Sequence, residues 1–208
     1  MGSGKSVQTP SASVLADVLK FYERGQIVDA LKQAEAFAPL KNWGGVEACV
    51  LAARIATNAG SRRLSSRLSI RAWQTDPNHP GAQLQYGFHL AEWRGSLVAW
   101  RTMRDWKADD GAKTDDQAEM FALRSRLATD LRDFTTAEQL IAAAENISAL
   151  PWIRLQRAYL LERQDRVEEA LEVAREATAR HANPFYRPGV QMIAQFLQLL
   201  DRDAEASE

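Results

Sequence analysis

The hydrophobic residues of this chain recur at helical spacing in short amphipathic stretches, and a small residue lies near the middle of five of them. The small residues recur every 33 to 38 positions. A repeat of about this length is typical of helix–turn–helix units, which stack because none can bury its apolar face alone. The pattern therefore predicts an all-α fold, an α-solenoid of antiparallel helix hairpins. The five small residues, separated by 35, 34, 38 and 33 positions, are Ala30, Ser65, Ala99, Ala137 and Ala170.

The clearest unit spans residues Val46–His79. Its first helix carries apolar residues at steps of three and four, and Gly60 permits the turn that follows. The second helix spans roughly Arg62–Gln74 and ends before Pro77, because proline cannot continue a helix. This unit sets the phase for the rest of the chain.

On this phase the chain resembles the tetratricopeptide repeat (TPR) family, which has small residues at positions eight and twenty of a 34-residue unit. The segment Arg157–Ala177, RAYLLERQDRVEEALEVAREA, is the most similar to the family consensus. The resemblance implies five repeats over residues 11–184 and a capping helix over residues 185–201. Disordered tails are expected over residues 1–10 and 202–208, and Asp109–Asp116 lengthens the loop after the third unit. The eighth positions are Val18, Ala53, Gly87, Ser125 and Ala158.

Charge and composition exclude some classes of function. The 27 acidic and 26 basic residues nearly cancel, whereas nucleic-acid binders usually carry a basic excess. No stretch approaches the length of a membrane-spanning helix, and the N-terminus lacks the apolar core of a signal peptide. We therefore expect a cytoplasmic protein with no nucleic-acid partner and no membrane insertion.

Few residues suggest chemistry. Gly4-Lys5-Ser6 has neither the preceding strand nor the full glycine spacing of a phosphate-binding loop. His89 and Glu92 lie three residues apart without further metal ligands nearby, and the single Cys49 lies on an apolar helix. We predict no catalytic residues, no metal site and no cofactor, so the chain is not expected to be an enzyme.

In the TPR family, certain positions on the first helix of each unit face a concave groove that binds peptides. Arginine can hold a carboxylate through two hydrogen bonds, and aromatic side chains supply apolar anchors. Position five, occupied by Val50, Leu84, Ala122 and Leu155, is expected to face the same groove. The resemblance implies these groove residues for a ligand: Arg54, Asn58, Phe88, Glu92, Arg126, Asp130, Trp152, Tyr159 and Arg163.

Three functional hypotheses follow. The first is a non-catalytic scaffold that binds a protein or peptide segment in the groove; Trp93 at a hairpin turn and Trp43 in a glycine-rich loop are candidate exposed contacts. The second is a substrate-recruiting or regulatory domain of a larger bacterial enzyme such as a transferase. The third is self-assembly into a homo-oligomer, in which the capping helix (Val190–Leu200) packs on a neighbouring copy.

Overall fold

The computed structural model describes residues 6–106, 115–181 and 186–202, and within these ranges the chain is helical. It divides into two compact units, Met1–His89 and Leu90–Glu208. The predicted all-α fold of helix hairpins is confirmed. A short 3-10 helix lies at Leu40–Asn42, and the α-helices are α1 Ala12–Glu23, α2 Ile27–Phe37, α3 Val46–Asn58, α4 Arg62–Thr75, α5 Pro80–Arg94, α6 Ser96–Met103, α7 Asp115–Asp130, α8 Phe134–Glu145, α9 Pro151–Arg163, α10 Val167–Ala179 and α11 Arg187–Leu199.

Four hairpins share one turn geometry. In the first unit α1 packs on α2 and α3 on α4, and in the second unit α7 packs on α8 and α9 on α10. Each turn contains a left-handed residue five positions before the small residue of the second helix, with φ between 63° and 77°. The amide that follows this residue bonds back five positions, as in Ser61 N to Ala56 O at 2.8 Å. The left-handed residues are Gly25, Gly60, Arg132 and Asp165.

Most of the small residues of the repeat lie inside the helix packing, and Ser65 is the half-buried exception. Ala30, Ala99, Ala137 and Ala170 are fully buried, as are the eighth-position residues of the second unit. Ser125 on α7 donates its hydroxyl to the carbonyl of Ala137 on α8 at 2.8 Å. A side chain with only one atom beyond Cβ therefore bridges two helix backbones, and a larger residue would force them apart.

The junction between α2 and α3 is a packed structure. Trp43 is fully buried and donates its indole N–H to the carbonyl of Ala38 at 2.9 Å. Arg71 on α4 donates to the carbonyl of Trp43 at 2.8 Å, and the Cys49 thiol donates to the same oxygen at 3.4 Å. The prediction that Trp43 is an exposed contact is therefore wrong, because long-range partners cover the glycine-containing loop. Trp93, by contrast, is 48% exposed.

The N-terminal segment also lies on this junction. The amide of Gln8 donates to the carbonyl of Asn42 at 2.7 Å, and the amide of Gly44 donates to the carbonyl of Gln8 at 2.9 Å. These bonds form a short parallel bridge between Gln8 and Trp43. Described structure therefore begins ahead of the predicted first repeat, while residues 1–5 lie outside the described residues.

The second unit ends in α11, in the segment expected to cap the array. Phe196 and Leu197 are buried with the apolar residues of α9 and α10. Gly189 approaches α10 so closely that an added Cβ would collide with the side chain of Thr178. Val190, which the sequence places on the apolar side, is instead 48% exposed. The extended loop predicted at residues 109–116 and the tail at 203–208 lie largely or wholly outside the described residues.

Candidate functional site

The predicted groove residues lie on the first helices of the hairpins. Within the first unit, Arg54 and Phe88 are half-buried and Asn58 is exposed at the end of α3. Within the second unit, Glu92 and Arg126 are exposed. The remaining four are half-buried; they are Asp130, Trp152, Tyr159 and Arg163.

Three of the predicted residues in the second unit form one polar array. Asp130 ends α7, and its Oδ1 accepts a hydrogen bond from the Tyr159 hydroxyl on α9 at 2.7 Å. The guanidinium of Arg126 lies over the ring of Tyr159, 5.6 Å from its centroid. These residues come from α7 and α9, which pack directly on each other. We call Ser96, Arg126, Asp130, Tyr159 and Arg163 the Asp130 cluster.

Ser96 is the member of this cluster that the sequence did not reveal. It is the first residue of α6, and its hydroxyl donates to Oδ2 of Asp130 at 2.6 Å. The sequence contains one sign of this contact. Ser96 begins a second helix, and Asp130, 34 positions later, ends the next first helix. Both oxygens of Asp130 thus have a donor from a different helix.

The electrostatics of the cluster favour a neutral phenol. Burial, followed by the hydrogen bond to Asp130 and the charge of that carboxylate, raises the pKa of Tyr159 to about 12. The charges of Arg163 and Arg126 act in the opposite direction, but they are smaller contributions. Tyr159 therefore remains a hydrogen-bond donor at neutral pH. The cluster holds two cations and one anion, so its net charge is positive.

Arg163 has a polar atom directed into the protein. Its Nε is buried and has no hydrogen-bond partner within the described part of the chain. The side chain is half-buried at the last residue of α9, one turn beyond Tyr159. An additional acceptor beside it would satisfy this donor.

The first unit contains a related contact between first helices, with fewer residues than the Asp130 cluster. The side-chain amide of Asn58 donates to the Tyr22 hydroxyl at 3.2 Å and to the carbonyl of Arg54 at 3.0 Å. Asn58 occupies the same repeat position as Asp130, so the same place in two hairpins joins neighbouring first helices through a tyrosine hydroxyl. The two links run in opposite directions along the chain, because Asn58 bonds back to Tyr22 on α1 whereas Asp130 accepts from Tyr159 on α9.

Other predicted contacts lie elsewhere. Trp152 packs against the hydrophobic core of α7, α8 and α9. His89, which forms a three-residue step with Glu92, lies 2.9 Å from the Ser66 hydroxyl through Nδ1. Position five is the clear correction, because all four of its side chains are buried in the helix packing. They are Val50, Leu84, Ala122 and Leu155.

The described residues contain no group of three or more histidine, cysteine or acidic side chains arranged to hold a metal ion. The thiol of Cys49 is buried, and this burial raises its pKa. Within the described ranges, no helix is both long and apolar enough to cross a membrane.

Structural comparison identifies the fold. TTC0263, a thermophilic TPR protein of Thermus thermophilus, matches with a TM-score of 0.67 at 19% identity, over 89% of this chain and 98% of that protein. PilF of Pseudomonas aeruginosa matches with a TM-score of 0.54 at 13% identity, over 94% of this chain and 86% of that protein. No protein-family model and no curated protein matches the sequence. The chain therefore has the fold of TPR proteins, which confirms the resemblance at the level of the fold.

Proposed function

We propose that this chain, built on the fold of TPR proteins, is a non-catalytic scaffold that binds a peptide or protein segment along its first helices. The observation that carries the proposal is the Asp130 cluster, in which predicted groove residues of two successive first helices meet. The remaining predicted residues are proposed as further contacts within their own units, Glu92 and Trp152 in the second unit and Arg54, Asn58 and Phe88 in the first.

The hydrogen bonds within the cluster separate residues that orient from residues that bind. Both oxygens of Asp130 already have donors, so this carboxylate orients Ser96 and Tyr159. Arg126 is exposed, its guanidinium carbon lies 5.6 Å from the centroid of the Tyr159 ring, and its N–H groups have no hydrogen-bond partner in the described part of the chain. Those N–H groups are suited to backbone carbonyls or carboxylates of an extended segment.

The cluster is built for recognition rather than for acid–base chemistry. A general base needs a proton acceptor with a pKa near the working pH. Tyr159 has its pKa raised to about 12, and Asp130 is held by two donors. Tyr159 is therefore not suited to exchange its proton with a substrate at neutral pH.

The test compares two double variants by capture from native lysate. Arg54→Ala with Arg126→Ala removes one predicted groove cation from each unit. Arg24→Ala with Arg101→Ala is the matched control, because both are exposed arginines, one in each unit, and neither is among the predicted groove residues.

We expect proteins retained by the wild type and the control to be lost from the groove variant, with unchanged helical melting curves for all three. Overlapping synthetic peptides from a retained protein then locate the bound segment, and their affinities are measured by fluorescence anisotropy. Equal retention by both double variants would overturn the proposal.

A further inference from the structure

Two second helices carry opposite charges at equivalent repeat positions. On α4, Arg63, Arg67 and Arg71 follow each other at steps of four, and we call them the arginine ladder. Arg63 and Arg67 are exposed, and Arg71 is half-buried. Residues four apart lie on the same face of a helix, so the three guanidinium groups form one stripe.

The arginine ladder has no carboxylate to balance it within the described residues. Arg71 donates to the backbone carbonyls of Lys41 at 3.0 Å and Trp43 at 2.8 Å, which fixes its position without cancelling its charge. Neither Arg63 nor Arg67 has a carboxylate partner in the described part of the chain. Between Glu47 and Asp76, over residues 48–75, the sequence contains five arginines and no acidic residue.

Such a stripe is unfavourable for the isolated helix. Like charges at a step of four repel each other, and cations near a helix N-terminus oppose the helix dipole. Arg63 is the second residue of α4, so both effects act on it. An anionic partner along this face would remove both penalties.

The complementary stripe lies on α10 of the same chain. Glu168, Glu172 and Glu176, the glutamate ladder, have the same offsets from Ala170 as the arginine ladder has from Ser65. All three glutamates are exposed, and their helix has the same orientation within its hairpin. No other unit places three residues of one charge at these positions.

The glutamates of this ladder can change their ion-pair partners at small cost. Glu168 has no ion-pair partner in the described part of the chain. Glu172 lies 3.4 Å from Arg175, and Glu176 lies 2.9 Å from Arg154 and 3.7 Å from Arg180. The Glu172 and Glu176 side chains are 69% and 53% exposed in these pairs, and such surface pairs contribute little to stability. A second set of arginines can therefore replace or join them at small cost.

We propose that the arginine ladder of one copy of this chain docks on the glutamate ladder of a second copy, with the two helices antiparallel. Both ladders rise about 6 Å per step, at ~1.5 Å per residue, so successive charges remain in register along the contact. Antiparallel packing also places the positive N-terminal end of α4 beside the negative C-terminal end of α10.

This association is separate from peptide binding on the first helices, and it differs from association through the capping helix. The contact is heterologous, because it joins two different surfaces. A docked pair therefore leaves one ladder of each kind open, and association continues into a closed ring, or into an open filament where the rotation between copies does not close.

Sedimentation velocity over a concentration series tests the proposal. In ~0.01 M salt the weight-average sedimentation coefficient is expected to rise with protein concentration. In ~1 M salt, where the screening length falls from about 30 Å to about 3 Å, it should return to the monomer value. A monomer at every concentration in low salt would overturn the proposal, and so would association that high salt leaves unchanged.

Charge reversal identifies the surfaces. Arg63→Glu with Arg67→Glu, and separately Glu168→Arg with Glu172→Arg, should each sediment as monomers, while an equimolar mixture of the two variants should associate again. The control, Arg24→Glu with Lys32→Glu, makes the same change in net charge at exposed positions of the first unit. Circular dichroism verifies folding. If a reversed variant does not fold, it is replaced by the matching neutral one, Arg63→Gln with Arg67→Gln or Glu168→Gln with Glu172→Gln.

An association that persists in either reversed variant, or a mixture that stays monomeric, excludes ladder-to-ladder docking. Loss of association in the control variant excludes it as well, because net charge alone would then explain the result. Capture of an unrelated acidic protein by the arginine ladder, without self-association, also contradicts the proposal.

Discussion

Removal of the Tyr159 hydroxyl should measure how strongly the Asp130 cluster couples its helices. In Tyr159→Phe, Oδ1 of Asp130 loses the donor that lies at 2.7 Å, while Ser96 keeps its bond to Oδ2 at 2.6 Å. Hydrogen bonds to charged groups contribute about 1.5–3 kcal/mol. Because the cluster is only half-buried and water can partly replace the hydroxyl, we expect a loss of about 1–2 kcal/mol.

A double-mutant cycle isolates this term from other effects of the substitution. Tyr159→Phe, Asp130→Ala and the combined variant are unfolded with urea, and unfolding is followed by circular dichroism and by tryptophan fluorescence. The ring beneath Arg126 is retained in phenylalanine, so the cation–π contact stays constant. We expect a coupling free energy of about 1 kcal/mol or more between the two residues.

The outcome distinguishes a structural connection from a solvated surface pair. A coupling below about 0.5 kcal/mol is within the range of independent sites and would refute the argument that the bond joins α7 to α9. Ser96→Ala provides the parallel measurement on the other oxygen. If it is as costly as Tyr159→Phe, then α6 is tied to α7 in the same way as α9.

Three further predictions concern ionisation, packing and the N-terminal segment. The stability that Tyr159 contributes through its raised pKa is present below about pH 10 and should be lost as the pH rises through about 12; absorbance titration should show one high-pKa tyrosinate that Tyr159→Phe lacks. Ala158→Leu should cost about 1–3 kcal/mol in urea unfolding, since Ala158 is fully buried at a helix crossing, whereas Ala142→Leu at an exposed position should stay within ~0.5 kcal/mol. Gly44→Ala should accelerate hydrogen exchange at the Gln8 amide, because the added methyl meets the Cγ1 of Val7, and Val7→Ala should restore protection.

The hairpins could be predicted from the sequence because their determinants are local. Small residues at a step near 34 indicate where the helices of a hairpin pack. In two of the four hairpins, a glycine at the left-handed turn position also indicates where the chain reverses direction. The helix predicted at roughly Arg62–Gln74 is observed at Arg62–Thr75. Helix boundaries of this kind depend on the residues at the helix ends, and these residues can be identified in the sequence.

The junction at Trp43 could not be predicted in the same way. Its burial depends on Arg71, 28 residues further along, and on the N-terminal segment bonded to Asn42 and Gly44. Two adjacent glycines indicate an exposed loop when only local composition is considered. Only the three-dimensional packing shows that the N-terminal segment approaches the backbone of Gly44, where any larger residue would collide with Val7.

The positions assigned to the groove differ in their packing for a related reason. Positions nine and thirteen lie on the face where neighbouring first helices meet, so Tyr159 and Asp130 come together as the phase requires. At position five, Leu84 and Leu155 are instead buried in the helix packing. Periodicity separates apolar from polar faces of a helix, but the width of the buried face depends on how many helices pack around it.

The phase of the repeat also separates two surfaces that can be tested independently. Asp130 and Tyr159 lie on first helices, whereas the arginine and glutamate ladders lie on second helices, α4 and α10. Substitutions on surfaces without shared partners act additively. Tyr159→Phe should therefore leave salt-dependent sedimentation unchanged, and reversal of Arg63 and Arg67 should leave binding of a captured peptide unchanged. If each variant impaired both properties, the two surfaces would be parts of one interface, and the separate roles proposed for first and second helices would have to be abandoned.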